Sequence, residues 1–154
     1  MKKFLYLLLL LPLAFFASCD SDDNLPDVDV IISMDGVADV DGILYAVQDS
    51  TVSVTSVSVK SLTDKAAIVS NVRYFVDNIF QFESVVSPFS VSILPGALPV
   101  GNHLLTAYMG ILQVDKSVAT GAFTYRLKVV ESVDDLPDGA KLGPWTDTTT
   151  VQPK

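Results

Sequence analysis

The sequence predicts an all-β protein, a sandwich or a barrel built from about eight short strands. Three observations carry that prediction. Apolar residues recur with period two in one short segment after another, the spacing of a strand with one buried face. Clusters of Gly, Asp and Pro that favour turns separate those segments at close intervals. Beyond residue 18, no stretch of twelve or more residues has the periodicity of an amphipathic helix. A high content of valine with Ser and Thr points the same way, since branched side chains suit a pleated surface.

Val28, Val30, Ile32 and Met34 alternate with Asp27, Asp29, Ile31 and Ser33 and predict the first strand. Asp35-Gly36 and Asp41-Gly42 are expected turns, because glycine takes positive φ and aspartate bonds its own backbone. Ile43–Val47 is then a short strand and Thr51–Lys60 a longer one. In the longer strand Val52 and Val54 share one parity and Val57 and Val59 the other. That switch at Thr55-Ser56 predicts a β-bulge or a strand apolar on both faces. Asp64-Lys65 marks the next turn, and Ile68 leads into Val72-Arg-Tyr-Phe-Val-Asp77. Asp77-Asn78 fits a two-residue hairpin turn, since both residues tolerate positive φ, and Ile79–Glu83 returns as the partner strand. Phe89, Val91 and Ile93 alternate with Ser90 and Ser92. Leu94–Gly101 holds two prolines and two glycines and reads as a loop. Asn102–Met109 and Gly121–Val130 are the last two expected strands. The turn-rich residues 132–154 are expected to form an irregular C-terminal extension, either loose or covering an edge.

The first 18 residues read differently. Lys2 and Lys3 precede an apolar run from Phe4 to Phe16, which Pro12 interrupts and which is shorter than the about 20 residues a membrane span needs. The run ends at Ala17-Ser18-Cys19, and small residues before the chain's one cysteine would admit a peptidase. This arrangement resembles a bacterial lipoprotein signal with its lipobox. The resemblance implies a cleaved signal peptide over 1–18 and a lipid on Cys19 that ties the protein to a membrane. Asp20, Ser21, Asp22 and Asp23 then open an acidic tether over 19–27, which resembles the export signal of surface lipoproteins in Bacteroidota. That likeness implies the outer face of the outer membrane; under another sorting system Asp20 would instead mean retention at the inner membrane.

Cleavage before Cys19 removes 18 of 154 residues and leaves 136, enough for one domain with its own core. The chain holds ten Lys and Arg against 18 Asp and Glu, a net charge of −8. That balance argues against nucleic acid, whose binding rests on neutralising phosphates. With one cysteine there is neither an intramolecular disulfide nor a cysteine-based zinc site.

Val72-Arg-Tyr-Phe-Val-Asp77, Ser87-Pro-Phe-Ser90 and Leu98-Pro-Val-Gly-Asn-His-Leu-Leu-Thr-Ala107 together resemble a bacterial immunoglobulin-like domain. In that family a V-x-F-Y-V-D-G hairpin is followed by P-Y/F-S and then by G-x-H-x-L-T-A. Asn78 stands where the hairpin glycine usually does, and Tyr108-Met109-Gly110 replaces the usual Ala-Thr-Asp. The resemblance implies an immunoglobulin-like antiparallel sandwich of about 7–9 strands over 28–131, a spacer or binding module with no catalytic residues.

Candidate chemistry is sparse. His103 is the only histidine and alternates with Leu105 and Ala107, so a hydrogen-bonded structural role is expected rather than catalysis. Asp35, Asp39 and Asp41 crowd one turn but lack the spacing and terminal Glu of an EF-hand, and a solvated turn is expected over a calcium site. Trp145 is expected to plug the fold rather than to stand exposed. No metal, cofactor or catalytic residue is expected. If Val72, Tyr74 and Val76 face the core, Phe75 points outward beside Arg73, and Phe80 and Phe82 or Ile79 and Gln81 share that face. Arg73, Phe75, Phe80 and Phe82 are the candidate binding surface, set against the expectation that the tail from Ser132 to Lys154 folds back and covers them, since large exposed apolar patches are rare in monomers. The expected function is a lipid-anchored, non-enzymatic module for a glycan or protein partner. The alternative is a structural spacer or a pilus-like adhesion subunit.

Overall fold

The computed structural model describes residues 24–94 and 97–152. They form nine strands: β1 (Val28–Val40), β2 (Ile43–Val47), β3 (Val52–Ser61), β4 (Ala67–Val76), β5 (Ile79–Ser84), β6 (Val91–Ile93), β7 (Gly101–Gln113), β8 (Ala119–Val130) and β9 (Gly143–Val151). Two layers result. One has the order β9-β1-β3-β6 and the other β5-β4-β7-β8-β2, with the end of β1 pairing β2 to link them. The pairing is antiparallel except between β2 and β8, which run parallel. This is an immunoglobulin-like β-sandwich.

Alternation builds the core. Val28, Val30, Ile32 and Met34 of β1 are buried, and Val72, Tyr74 and Val76 of β4 face them with Leu105, Ala107 and Met109 of β7. The Tyr74 hydroxyl, carried into this apolar layer, donates to the Phe89 carbonyl. Burial pushes its pKa well up, so the hydroxyl stays neutral. The parity switch in β3 is a bulge: Ser56 pairs Ser33 while Val54 pairs Met34, leaving Thr55 without a partner. The extra residue turns Val52, Val54 and Val57 all inward.

Two expectations about β1 and the tail are corrected. Asp35-Gly36 does not end the first strand; β1 continues to Val40. Gly36, at φ +82, is instead a kink where the strand leaves one layer for the other. Only glycine fits there, because a Cβ would stand 2.1 Å from the Thr51 carbonyl oxygen. Residues 132–154 are also not wholly irregular, since Gly143–Val151 pairs β1 from Val28 to Val37 as an edge strand. Its half-buried positions are Gly143, Trp145, Asp147, Thr149 and Val151, too polar a set to show as apolar alternation, although threonine favours strands. Pro144 is tolerated because an edge strand has a side that needs no donor.

Candidate binding face

The β4–β5 hairpin positions the aromatic residues. Asp77 (φ 51) and Asn78 (φ 64) form its two-residue turn, and Val76 pairs Ile79 across it. Phe75 pairs Phe80, but Tyr74 pairs Phe82, so Gln81 is an extra residue on β5. Directly paired residues share a face. Phe80 therefore joins Phe75 on the outer face, while Phe82 follows Tyr74 to the opposite side. This bulge separates the candidate surface expected from sequence. Arg73, Phe75 and Phe80 lie together, and Phe82 lines a cleft of about 860 Å³ between the β5 and β6 edges.

A residue that the sequence reading passed over takes its place. Tyr108 pairs Arg73, and its ring meets the edge of Phe75 at 5.4 Å, while Phe80 meets Phe75 at 5.6 Å. These T-shaped contacts make one cluster in which Phe80 is 54% and Tyr108 37% exposed. Arg73, Phe75, Asn78 and Tyr108 line an open depression of about 300 Å³ beside it. The signal for Tyr108 was its parity, opposite to that of Leu105 and Ala107; that its strand lies beside the hairpin is shown by the β4–β7 pairing. The expectation that the tail covers these aromatics is corrected: among the described residues, its strand β9 pairs β1 in the other layer.

His103 fixes the turn below this face. Its Nδ1 lies 2.6 Å from Asp77 Oδ2 and its Nε2 2.8 Å from the Pro99 carbonyl oxygen. The Leu104 amide donates to Asp77 Oδ1 at 2.9 Å, and the Asp77 amide donates to the Leu104 carbonyl at 2.9 Å. Burial alone lowers the His103 pKa, but the Asp77 hydrogen bond and the Pro99 carbonyl outweigh it and the net shift is upward. The hydrogen bond from His103 holds the Asp77 carboxyl below its usual range. With both ring nitrogens against acceptors, the histidine is a strut between the hairpin turn and β7.

No family model matches this chain. No curated protein matches it either. Among solved structures, it is similar to a chain described as Clostridium thermocellum CbhA fibronectin(III)-like modules. The identity is 13% over 62% of this chain and 96% of that one, with a TM-score of 0.39. A likeness that loose decides nothing; the fold rests on the strand order above.

The remaining candidates have local roles. Asp35 Oδ1 accepts from the Gly36 amide, Asp39 Oδ1 from the Gly42 amide and Asp39 Oδ2 from Trp145 Nε1. Among the described residues, no group of three or more His, Cys, Asp or Glu is placed to hold a metal ion. Trp145 packs against the core and meets the Tyr125 ring edge-on at 5.4 Å, as a plug would. The Tyr125 hydroxyl donates to Asp147 at 2.9 Å, and burial and that carboxylate raise its pKa. Cys19, Asp20, Ser21, Asp22 and Asp23 lie outside the described residues.

Charge is divided between the layers. Strands β2, β4, β5, β7 and β8 carry Arg73, Arg126 and Lys128 and a single acid, Glu83, which accepts from Asn71 at 2.8 Å. Strands β9, β1, β3 and β6 carry Asp29, Asp35, Asp39 and Asp147 against one cation, Lys60.

Proposed function

We propose that this chain is a lipid-anchored lipoprotein of the outer cell surface, in which the sandwich is a non-catalytic module that holds a partner. Its binding surface is the outer face of β5, β4, β7 and β8, centred on Phe75. The observation that carries this reading is the Phe75–Phe80–Tyr108 cluster, contiguous and open on the outer face of the sheet. Scattered exposed apolar residues are ordinary, but adjoining aromatics supply large, rigid contact area at little entropic cost. The anchor is Cys19, with Asp20, Ser21, Asp22 and Asp23 as sorting signal; both rest on sequence.

The test is the double substitution Phe80→Ser, Tyr108→Ser. Both rings stand on the outer face, so the melting temperature should fall by only a few degrees while retention of the protein on its partner in a cell-surface pull-down is lost. Unchanged retention with unchanged stability would contradict the reading. A large fall in melting temperature would also contradict it, because the cluster would then belong to the core.

A further inference from the structure

We infer that this outer face binds an anionic polysaccharide, one whose sugar rings carry carboxylates; this rests on the binding-module reading above and names its ligand class. The chain is acidic, at −8, yet both of its arginines project from the five-stranded layer. Arg73 and Arg126 are exposed. Lys65 pairs with Asp115 and His103 with Asp77, and neither arginine takes part in these ion pairs. The third cation, Lys128, sits 5.5 Å over the Tyr45 ring.

The register sets the spacing. Arg73 pairs Tyr108 and Arg126 pairs Leu104, so the arginines are four residues apart along β7 and lie on the strands to either side of it. At about 3.4 Å per residue and 4.8 Å per strand, their Cα atoms are about 17 Å apart. Between them run Phe75, Tyr108 and the exposed Thr124, whose hydroxyl lies 3.0 Å from that of the buried Thr106. A cation therefore stands at each end of a shallow aromatic and hydroxyl floor.

That pattern matches the chemistry of an acidic glycan. The C–H faces of a sugar ring lie against the negative π face of an aromatic ring. A guanidinium presents a planar fork that takes a carboxylate through two parallel hydrogen bonds. A polymer repeating ring and carboxylate can engage both arginines at once. Nucleic acid fits less well, since its affinity grows with the number of phosphates neutralised and this face offers few cations. The repulsion expected from the chain's net charge is screened beyond about 8 Å at physiological salt, so the groups on the face itself decide contact. Two acids stand there, Glu83 paired with Arg73 and Asp77 in one depression with Arg126, but Glu83 is held by Asn71 and Asp77 by His103 and the Leu104 amide, which leaves the guanidinium groups to the ligand.

The experiment titrates the full-length chain, purified in detergent, with polygalacturonate, alginate and hyaluronan, and with the carboxyl-reduced form of whichever binds. Binding to at least one polymer is expected, with affinity at least tenfold weaker after reduction. Arg73→Gln and Arg126→Gln should each weaken it severalfold, and the double variant, still folded by its melting temperature, should lose the preference for carboxylate. Equal binding of the reduced polymer overturns the anionic assignment but leaves a glycan-binding face. Equal binding of polyglutamate or single-stranded DNA overturns it in favour of a general anion site. Failure of all three polymers overturns it as well, and the binding-module reading then stands or falls on the Phe80 and Tyr108 pull-down.

Discussion

Replacing Gly36 by alanine tests the kink that joins the two layers. At φ +82 an L-residue costs about 1–2 kcal/mol before any contact is considered. Its Cβ would also stand 2.1 Å from the Thr51 carbonyl oxygen, a backbone atom that no side-chain rotation can clear. The relief available is to part β1 from β3 near the Asp35–Ser53 pair, losing one or two backbone hydrogen bonds at about 0.5–1.5 kcal/mol each. The total is about 1.5–5 kcal/mol. For a domain of this size that corresponds to a melting temperature lower by roughly 5–20 °C. Gly139 is the control, with φ +79 and nothing within 4 Å of its would-be Cβ. Gly139→Ala should show the backbone cost alone, about 1–2 kcal/mol. Thermal unfolding followed by circular dichroism compares the two. If Gly36→Ala melts within two or three degrees of Gly139→Ala, on the order of the uncertainty in the backbone cost, the steric argument is wrong.

The His103–Asp77 pair makes stability depend on pH with a definite sign. His103, raised in the fold, contributes fully below its unfolded value of about 6.5, and that contribution is lost as pH rises through the higher folded value. Asp77, lowered in the fold, contributes above about 4 and loses its contribution as pH falls through its folded value. The difference in denaturation midpoint between the native chain and Asp77→Asn should therefore be largest between these limits and shrink toward pH 9; a difference constant across that range would refute the pairing. Cys19→Ala should abolish labelling by a radioactive fatty acid and leave an unprocessed precursor, because acyl attachment needs the thiol; equal labelling of both proteins would remove the anchor from the account.

Local chemistry was legible where one residue type had one reason to be there. The valines' change of parity narrowed β3 to a bulge or a strand apolar on both faces, and the pairing shows the bulge at Thr55; the hairpin turn followed from Asp77 and Asn78, and the structural role of His103 from its isolation on an inward face. Tertiary context hid the rest. Gly36 has the signature of a turn, and only the approach of Thr51 makes it a kink. β9 offers polar residues to a half-buried edge, so its apolar pattern is faint. Phe80 and Phe82 look equivalent by spacing, and the extra residue Gln81 parts them. Tyr108 gained meaning only when pairing set it beside Arg73 and Phe75.

The central claim, that the Phe75–Phe80–Tyr108 face is where this protein meets its partner, is tested most directly by hydroxyl-radical footprinting of the chain on intact cells and after purification. Phe82, 48% exposed in the cleft away from that face, serves as the internal reference. The account predicts that Phe80 and Tyr108 are oxidised less on cells than in the purified protein, while Phe82 is oxidised equally in both. Equal oxidation of all three, or protection of Phe82 alone, would contradict it.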